Sequence, residues 1–430
     1  MEWWGTRMTS SGTRPQGFDI ARNTPVRCRQ YINLSGGMPN EDTFPIKTMT
    51  LKLTDGTVLE IDKATTSKAL QYGRTPGQFE LLRWLTTLLK TVHNPPTLQD
   101  KSHPGQFDML MTNGVQDGMY KTLETLVDEG DIVFAENPTY PGFLAAALPF
   151  RCQIVPIEMD EDGLIPEEFS IALKDHSINS GRKMKFLYCV PNSGNPTGIC
   201  YTEERKRLIY GLAREYNLLI LEDDAYFFLQ SKPYRKSFLS MDIDGRVIRL
   251  DTFSKTISAG LRAGFLSGPK PIVEKAIMAM QTSSKNCSGV SQAILLTVLQ
   301  HMGHDGYLAH CDRVADFYLR KRDVCVKSAE RYLKGLAEWK VPSGGMFLWI
   351  KVKGTNDSYK VVTEELRKRK VLMVPGVAFK ISSEIPSARI RIAYAFASDE
   401  QIDKSKKYRI AALVQEDRIN ARRINHLQKV

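Results

Sequence analysis

Residues 186–223 read FLYCVPNSGNPTGICYTEERKRLIYGLAREYNLLILED. An apolar run, Phe186–Val190, gives way to a polar loop, then to a helical stretch, then to a second apolar run, Leu218–Leu221. The helical stretch, Glu203–Tyr216, opens with Thr202 as its N-cap and two glutamates in the first turn, where their charge meets the positive end of the helix. Strand, helix and strand in that order predict a βα unit and a largely parallel sheet.

The same alternation extends outward on both sides. A helical pattern over Glu80–Val92 leads through His93–Pro96 to a strand at Asp108–Thr112. Further strands are expected at Ile132–Ala135, Val247–Asp251 and Gly264–Ser267. The last hundred residues change character. A long helix over Tyr307–Gly335 precedes strands at Met346–Val352 and Arg389–Tyr394, with a helix over Ser358–Arg369 between them. That is an α+β unit. At ~150 residues per domain, 430 residues imply two or three domains.

Composition narrows the function classes. Apolar residues make up 42% and charged residues 25%, which excludes a mostly disordered chain. No apolar run approaches the ~18 residues that a membrane span needs. Seven scattered cysteines without a CxxC pair form neither a zinc ribbon nor a disulfide framework, and suit a reducing compartment. The net charge of +11 suggests an anionic partner until it is mapped. Residues 1–30 carry +3 and residues 404–430 carry +6, so the 373 residues between them are nearly neutral. Solvated termini therefore account for most of it, with no basic groove for nucleic acid. The first 30 residues hold Arg and Ser but also Glu2 and Asp19, a poor mitochondrial presequence, so the cytoplasm is expected, with the mitochondrion as alternative.

Several strand ends carry chemistry. Asp251–Lys255 closes one strand, and Arg262 follows between glycines. A lysine at a strand's carboxyl end sits where open α/β sheets bind ligands, and its amine can bond a carbonyl cofactor, pyridoxal phosphate above all. Taken by itself, a Ser-Lys pair is an ordinary surface feature. Asp223, ending another strand, can face a pyridine nitrogen and keep it protonated, with Tyr226 three residues on for the ring's phenolate oxygen; the bland alternative is a solvated acidic loop. Asn195–Pro196 is either a plain turn or a second donor to that oxygen. Asn113–Gly118 joins a strand to a helix, whose first N–H groups make an anion site. Tyr140 can stack on a planar ring or serve as a core aromatic. Arg391 can grip a carboxylate with two parallel hydrogen bonds, or be an edge-strand charge, and it shares a strand face with Arg389. His301, His304 and His310 match no common zinc spacing and read as helix-surface residues. No G-x-G-x-x-G, P-loop or H-E-x-x-H occurs.

Each signal is modest by itself. In this order they resemble the class I/II aminotransferases of pyridoxal phosphate fold type I, and within them the kynurenine/2-aminoadipate branch. The resemblance runs from about Leu34 to Gln401 and includes Ser35–Asn40, Tyr188–Asn192, Leu239–Arg249, Gly335–Trp339 and Gly345–Val352. It implies an α/β fold: a large domain with a mostly parallel sheet flanked by helices, plus a smaller α+β domain. The implied division is an arm and small-domain segment over 1–45, a large cofactor-binding domain over 46–318, and a small domain with a basic tail over 319–430.

The resemblance also implies roles. Lys255 would be the Schiff-base lysine and proton carrier, with Asp223 at the pyridine nitrogen and Tyr140 stacked on the ring. Asn195 and Tyr226 would hold the phenolate oxygen. Thr252, Ser254, Arg262, Val115 and Gln116 would surround the phosphate. Tyr72 would reach the neighbouring subunit's cofactor, making a homodimer. Arg391 and Asn195 would bind the substrate α-carboxylate, and Gly37, Phe347 and Phe379 would line the substrate pocket. The implied reaction moves the amino group of L-kynurenine, 2-aminoadipate or an aromatic amino acid to 2-oxoglutarate by a ping-pong route.

Three departures stand out. Val115 replaces a serine of human-like members, which removes a hydroxyl from the phosphate loop and predicts weaker cofactor binding. Thr252 stands where a serine is usual. Gln16–Asp19 replaces a stretch holding an arginine, which bears on side-chain specificity. Two other readings compete. One is a different reaction on the same cofactor, such as C–S β-elimination. The other is a DNA-binding regulator with an aminotransferase-like domain, for which the ~45 residues ahead of the body are too few to make a winged helix.

Overall fold

The computed structural model describes residues 37–100, 105–179 and 181–405. The Gln16–Asp19 departure and the tail beyond residue 405 lie outside them. Along the chain run strands β1 (Met49–Lys52), β2 (Val58–Ile61), β3 (Phe107–Thr112), β4 (Ile132–Asn137), β5 (Gln153–Asp160), β6 (Gly163–Leu164), β7 (Met184–Cys189), β8 (Leu219–Asp223), β9 (Val247–Thr252) and β10 (Gly264–Pro269). Then come β11 (Ala337–Trp339), β12 (Phe347–Val352), β13 (Val374–Pro375) and β14 (Arg389–Ala393). The helices that matter here are α1 (Phe79–Val92), α2 (Val115–Leu126), α3 (Glu203–Glu215) and α4 (Gly289–Leu333). The chain packs as two units that interleave in sequence. One takes the residues up to Asp131, Pro149–Cys152 and Phe238–Leu308; the other takes Ile132–Leu148, Gln153–Ser237 and the residues from Ala309 on.

In the first unit β1 and β2 form an antiparallel pair. β10 pairs antiparallel with both β3 and β9, placing Gly264 opposite Thr112 on one side and Thr252 on the other. Gly264–Ser267 is thus an antiparallel exception to the largely parallel pairing that the alternation predicts, and the short link from β9 explains it. Only Phe253–Ala263 separate the two strands, and a parallel crossover needs a dozen or more residues. α1 buries Leu81, Trp84, Leu85, Leu88 and Leu89, the single apolar face that its spacing predicts.

In the second unit β8, β7, β4 and β5 are parallel neighbours, and β6 turns back antiparallel on β5. β4 and β8 are buried along their whole length, which is why they read as unbroken apolar runs instead of alternating ones. Thr202 does cap α3, accepting from the Arg205 N–H, an interaction worth ~1 kcal/mol. Near the C-terminus β11, β12, β14 and β13 form a separate sheet in that order. Its core face holds Leu348, Ile350, Val352, Ile390 and Ile392, packed on Leu333, Val362 and Leu366. Alternation then sends Phe347, Trp349, Arg389 and Arg391 to the opposite face.

Three local expectations are corrected. The helix expected over Tyr307–Gly335 is the later part of α4, which starts at Gly289 and is interrupted at Gly303 (φ 65°, ψ 177°). The helix expected over Ser358–Arg369 is present over 359–368, but its middle, Val361–Glu365, is a π-turn. His304 is half-buried instead of plainly exposed: its ring stacks on Trp84 (centroids 4.3 Å apart) and its Nε2 lies 3.0 Å from the Trp84 carbonyl. Among the described residues no helix is long and apolar enough to cross a membrane.

Candidate active site

An anion cradle forms in the first unit where β3 runs into α2. Gly114 caps that helix at φ 83° and has no side chain of its own to cap the first turn, and the backbone N–H groups of a helix start suit a phosphate. A Cβ at Gly114 would stand 2.5 Å from Arg262 Nη2, so only glycine lets the guanidinium approach the loop. Arg262 Nη2 donates to the Asn113 carbonyl at 2.9 Å, and Nη1 points to Ser254 Oγ at 3.5 Å. Arg262 itself is left-handed (φ 49°, ψ 41°), a strained backbone of the kind found at ligand clamps. Val115 opens α2 and Gln116 follows, exposed.

Lys255 sits half-buried in the turn just beyond β9. That turn is closed by Ile257 N–H and Ser258 N–H bonding back to the Phe253 carbonyl. Thr256 pins it through a 3.1 Å contact with the Tyr307 hydroxyl. Thr252 works as a brace: its hydroxyl accepts from Ser254 N–H at 3.1 Å and lies 3.1 Å from the Ala263 carbonyl, which fixes Ser254 in the cradle. Tyr72 is 55% exposed, with Lys285 Nζ 4.1 Å above its ring. Gly37 is exposed at the start of the described residues.

The second unit holds Asp223, Tyr140, Asn195, Tyr226 and Arg391. Asp223 ends β8, 4% exposed, and one carboxylate oxygen accepts from the Tyr188 hydroxyl at 2.8 Å. Tyr140 precedes a short helix, and its ring covers Gly142 so closely that a Cβ there would lie 2.3 Å from Cε1. Arg391 lies over the rings of Phe347 (4.5 Å) and Phe379 (5.1 Å), and Nη1 donates to Asn195 Oδ1 at 2.9 Å. Asn195 in turn hydrogen-bonds Tyr226. β14 lies between β12 and β13, so Arg391 is no edge-strand charge. Burial pulls its pKa down, its Nε is buried without a hydrogen bond, and among the described residues no carboxylate lies within ion-pair distance. A guanidinium held so is incomplete without an anion.

Sequence reasoning passed over a buried network beneath these groups. Glu136, inside β4, accepts from Tyr201 OH at 2.6 Å and from Val190 N–H at 3.2 Å. Lys206, wholly buried on α3, donates to Asn192 Oδ1 at 3.0 Å, and Asn192 Nδ2 donates to Asp224 at 2.8 Å. This chain ties the start of the loop that carries Asn195 to the end of β8. Burial, reinforced by the charge of Asp223, pushes Glu136 up to about 8 from an ordinary 4.5. The folded protein thus keeps a proton that the unfolded chain releases. The stability involved is fully present below pH ~4.5 and falls by ~1.4 kcal/mol per pH unit as the pH rises towards about 8. Glu136→Gln is therefore expected to flatten the thermal-melting profile between pH 5 and 8; parallel profiles for parent and variant would contradict this.

The residues fit pyridoxal phosphate. The cradle at Gly114 suits a phosphate, and the incomplete guanidinium of Arg391 suits the carboxylate of an amino or 2-oxo acid. When bound, the cofactor supplies an electron sink for the substrate's α-carbon. Fold and residues together define a pyridoxal-phosphate-dependent aminotransferase, acting on amino acids and 2-oxo acids. The chain belongs to the family described as aminotransferase class I and II, whose profile matches residues 29–405. It is 42% identical over 404 residues to the mitochondrial kynurenine/alpha-aminoadipate aminotransferase of Mus musculus, covering 93% of this chain and 94% of the relative. The aminotransferase Aro8 from Candida albicans matches its structure with a TM-score of 0.85 at 27% identity, covering 96% and 98%. A Pyrococcus horikoshii kynurenine aminotransferase solved with PMP matches at 0.75 and 29%, covering 89% and 90%.

Proposed function

We propose that this enzyme transfers the amino group of L-kynurenine, 2-aminoadipate or an aromatic amino acid to 2-oxoglutarate. The observation that carries the acid-binding half is Arg391, laid over two aromatic rings with its Nε buried and without a hydrogen bond among the described residues. The choice of amino donor is supported by relatives whose names specify kynurenine and alpha-aminoadipate. Phe347 and Phe379 offer an apolar lining for such side chains, and Gly37 is proposed as a further pocket residue.

With the cofactor bound, Lys255 would hold it through the aldehyde carbon and serve as the proton carrier at the substrate's α-carbon. Asp223 would keep the pyridine nitrogen protonated. Asn195 and Tyr226 would hold the ring oxygen, and Tyr140 would cover the ring. Ser254, Arg262 and the N–H groups of Val115 and Gln116 would take the phosphate, with Thr252 steadying Ser254. The functional division proposed is 1–45, 46–318 and 319–430. The enzyme is proposed to act as a homodimer in which the exposed Tyr72 reaches the neighbouring subunit's cofactor phosphate. We place it in the cytoplasm, with the mitochondrion named for its relatives as the alternative that cell fractionation tests. A panel of amino acids with 2-oxoglutarate is expected to give glutamate in equal amount to keto acid, fastest with kynurenine, 2-aminoadipate or an aromatic donor. Turnover confined to other donors would overturn the substrate assignment.

A further inference from the structure

We propose that Tyr188 is a positioning residue of this reaction, whose hydroxyl orients Asp223 and sets how firmly that carboxylate leaves the proton on the cofactor's pyridine nitrogen. The inference rests on the proposed role of Asp223.

The geometry begins with strand register. β7 and β8 are parallel, and Tyr188 is paired with Leu221, so its side chain has to reach two residues along β8 to meet Asp223. It does so from a fixed position. The ring is fully buried and lies face to face on Phe143, with centroids 3.9 Å apart and planes 3° from parallel. A phenylalanine would fill this space as well, so packing does not account for the hydroxyl. Its visible use is the 2.8 Å bond to Asp223 Oδ2.

Burial and the neighbouring acid Asp223 keep Tyr188 protonated, and so a donor. Burial, then Asp223, Glu136 and Tyr140, push its ionisation far above the ordinary tyrosine range. A permanent donor to an ionised carboxylate makes that carboxylate a weaker base and restricts its rotation. Asp223 then stays charged without taking the proton from the nitrogen it faces. Removal of the donor makes Asp223 more basic, draws the proton towards it and weakens the ring as an electron sink.

The test compares Tyr188→Phe with Phe143→Leu and Asp223→Asn in the full-length protein. Apo-protein is titrated with pyridoxal phosphate, and the pH midpoint of the bound cofactor's visible absorbance is recorded. Tyr188→Phe is expected to weaken binding ~10-fold and to move the midpoint upward by about one unit, the scale of one lost hydrogen bond to a charge. Phe143→Leu, which loosens the stack but keeps the hydroxyl, is expected to leave the midpoint in place. Replacement of Tyr188 alone by 3-fluorotyrosine, a stronger donor of the same shape, is expected to move the midpoint downward, and it decides the matter if Tyr188→Phe does not fold. If Asp223→Asn shifts binding and midpoint while neither change at Tyr188 does, or if Phe143→Leu shifts the midpoint as much as Tyr188→Phe, the proposal fails. If Asp223→Asn shifts neither, the role assigned to Asp223 has failed instead, and the inference with it.

Discussion

Lys255→Ala is expected to lower transamination by at least ~10⁴-fold and to remove the visible absorbance that marks covalently held pyridoxal phosphate. Two functions rest on one atom. In the proposed role Nζ would hold the cofactor through its aldehyde carbon, with the aldehyde oxygen leaving as water, and the same nitrogen would serve as the base at the substrate's α-carbon. Alanine supplies neither, and no neighbouring group in the turn replaces it: Ser254 is engaged with Thr252 and Thr256 with Tyr307. The side chain is only half-buried, so its loss leaves no large cavity and the protein is expected to fold. Absorbance spectra and an assay for glutamate formation check both parts. A variant that kept the absorbance and the turnover would refute the assignment.

Arg391→Ala is expected to leave that absorbance intact while kcat/KM falls by about 10²–10³-fold, equivalent to ~3–4 kcal/mol of lost binding to the carboxylate. The loss is expected to be similar for the amino acid and for the 2-oxo acid, because both present the same α-carboxylate. Lysine restores charge but not the two-pronged geometry, so Arg391→Lys is expected to recover only part of the activity. The Phe347 and Phe379 rings also favour the flat guanidinium over a compact ammonium. Unchanged kcat/KM for both substrates in Arg391→Ala would place the carboxylate elsewhere.

Residues whose chemistry is set by local spacing were the ones legible in the sequence. Thr202 was readable because an N-cap is decided within four residues. Asp223 and Lys255 were readable because both stand at the ends of strands that apolar runs announce. Arg391 was readable as a charge inside an apolar alternation, but its setting was not. Whether β14 is an edge or an interior strand depends on β13, whose Val374–Pro375 is too short to signal itself. Tyr188 and Glu136 were invisible for the opposite reason. Each sits in a buried stretch of strand, where a tyrosine or an isolated acid looks like core until the neighbouring strand shows what it touches. The same limit hid the antiparallel course of β10 and the stacking of His304 on Trp84, a partner more than two hundred residues away.

The pairing of β3 with β10 bears on how this chain is made. β3 emerges early, and the strand that saturates its edge follows about 150 residues later. At ~5–20 residues per second, a ribosome needs roughly 10–30 s to deliver it. During that interval Met109, Leu110 and Met111, all buried in the finished protein, sit on a strand whose hydrogen-bonding edge has no partner yet. Such a segment invites pairing with other nascent chains. Yield in cells should therefore depend on chaperone supply and translation speed more steeply than the stability of the finished enzyme suggests.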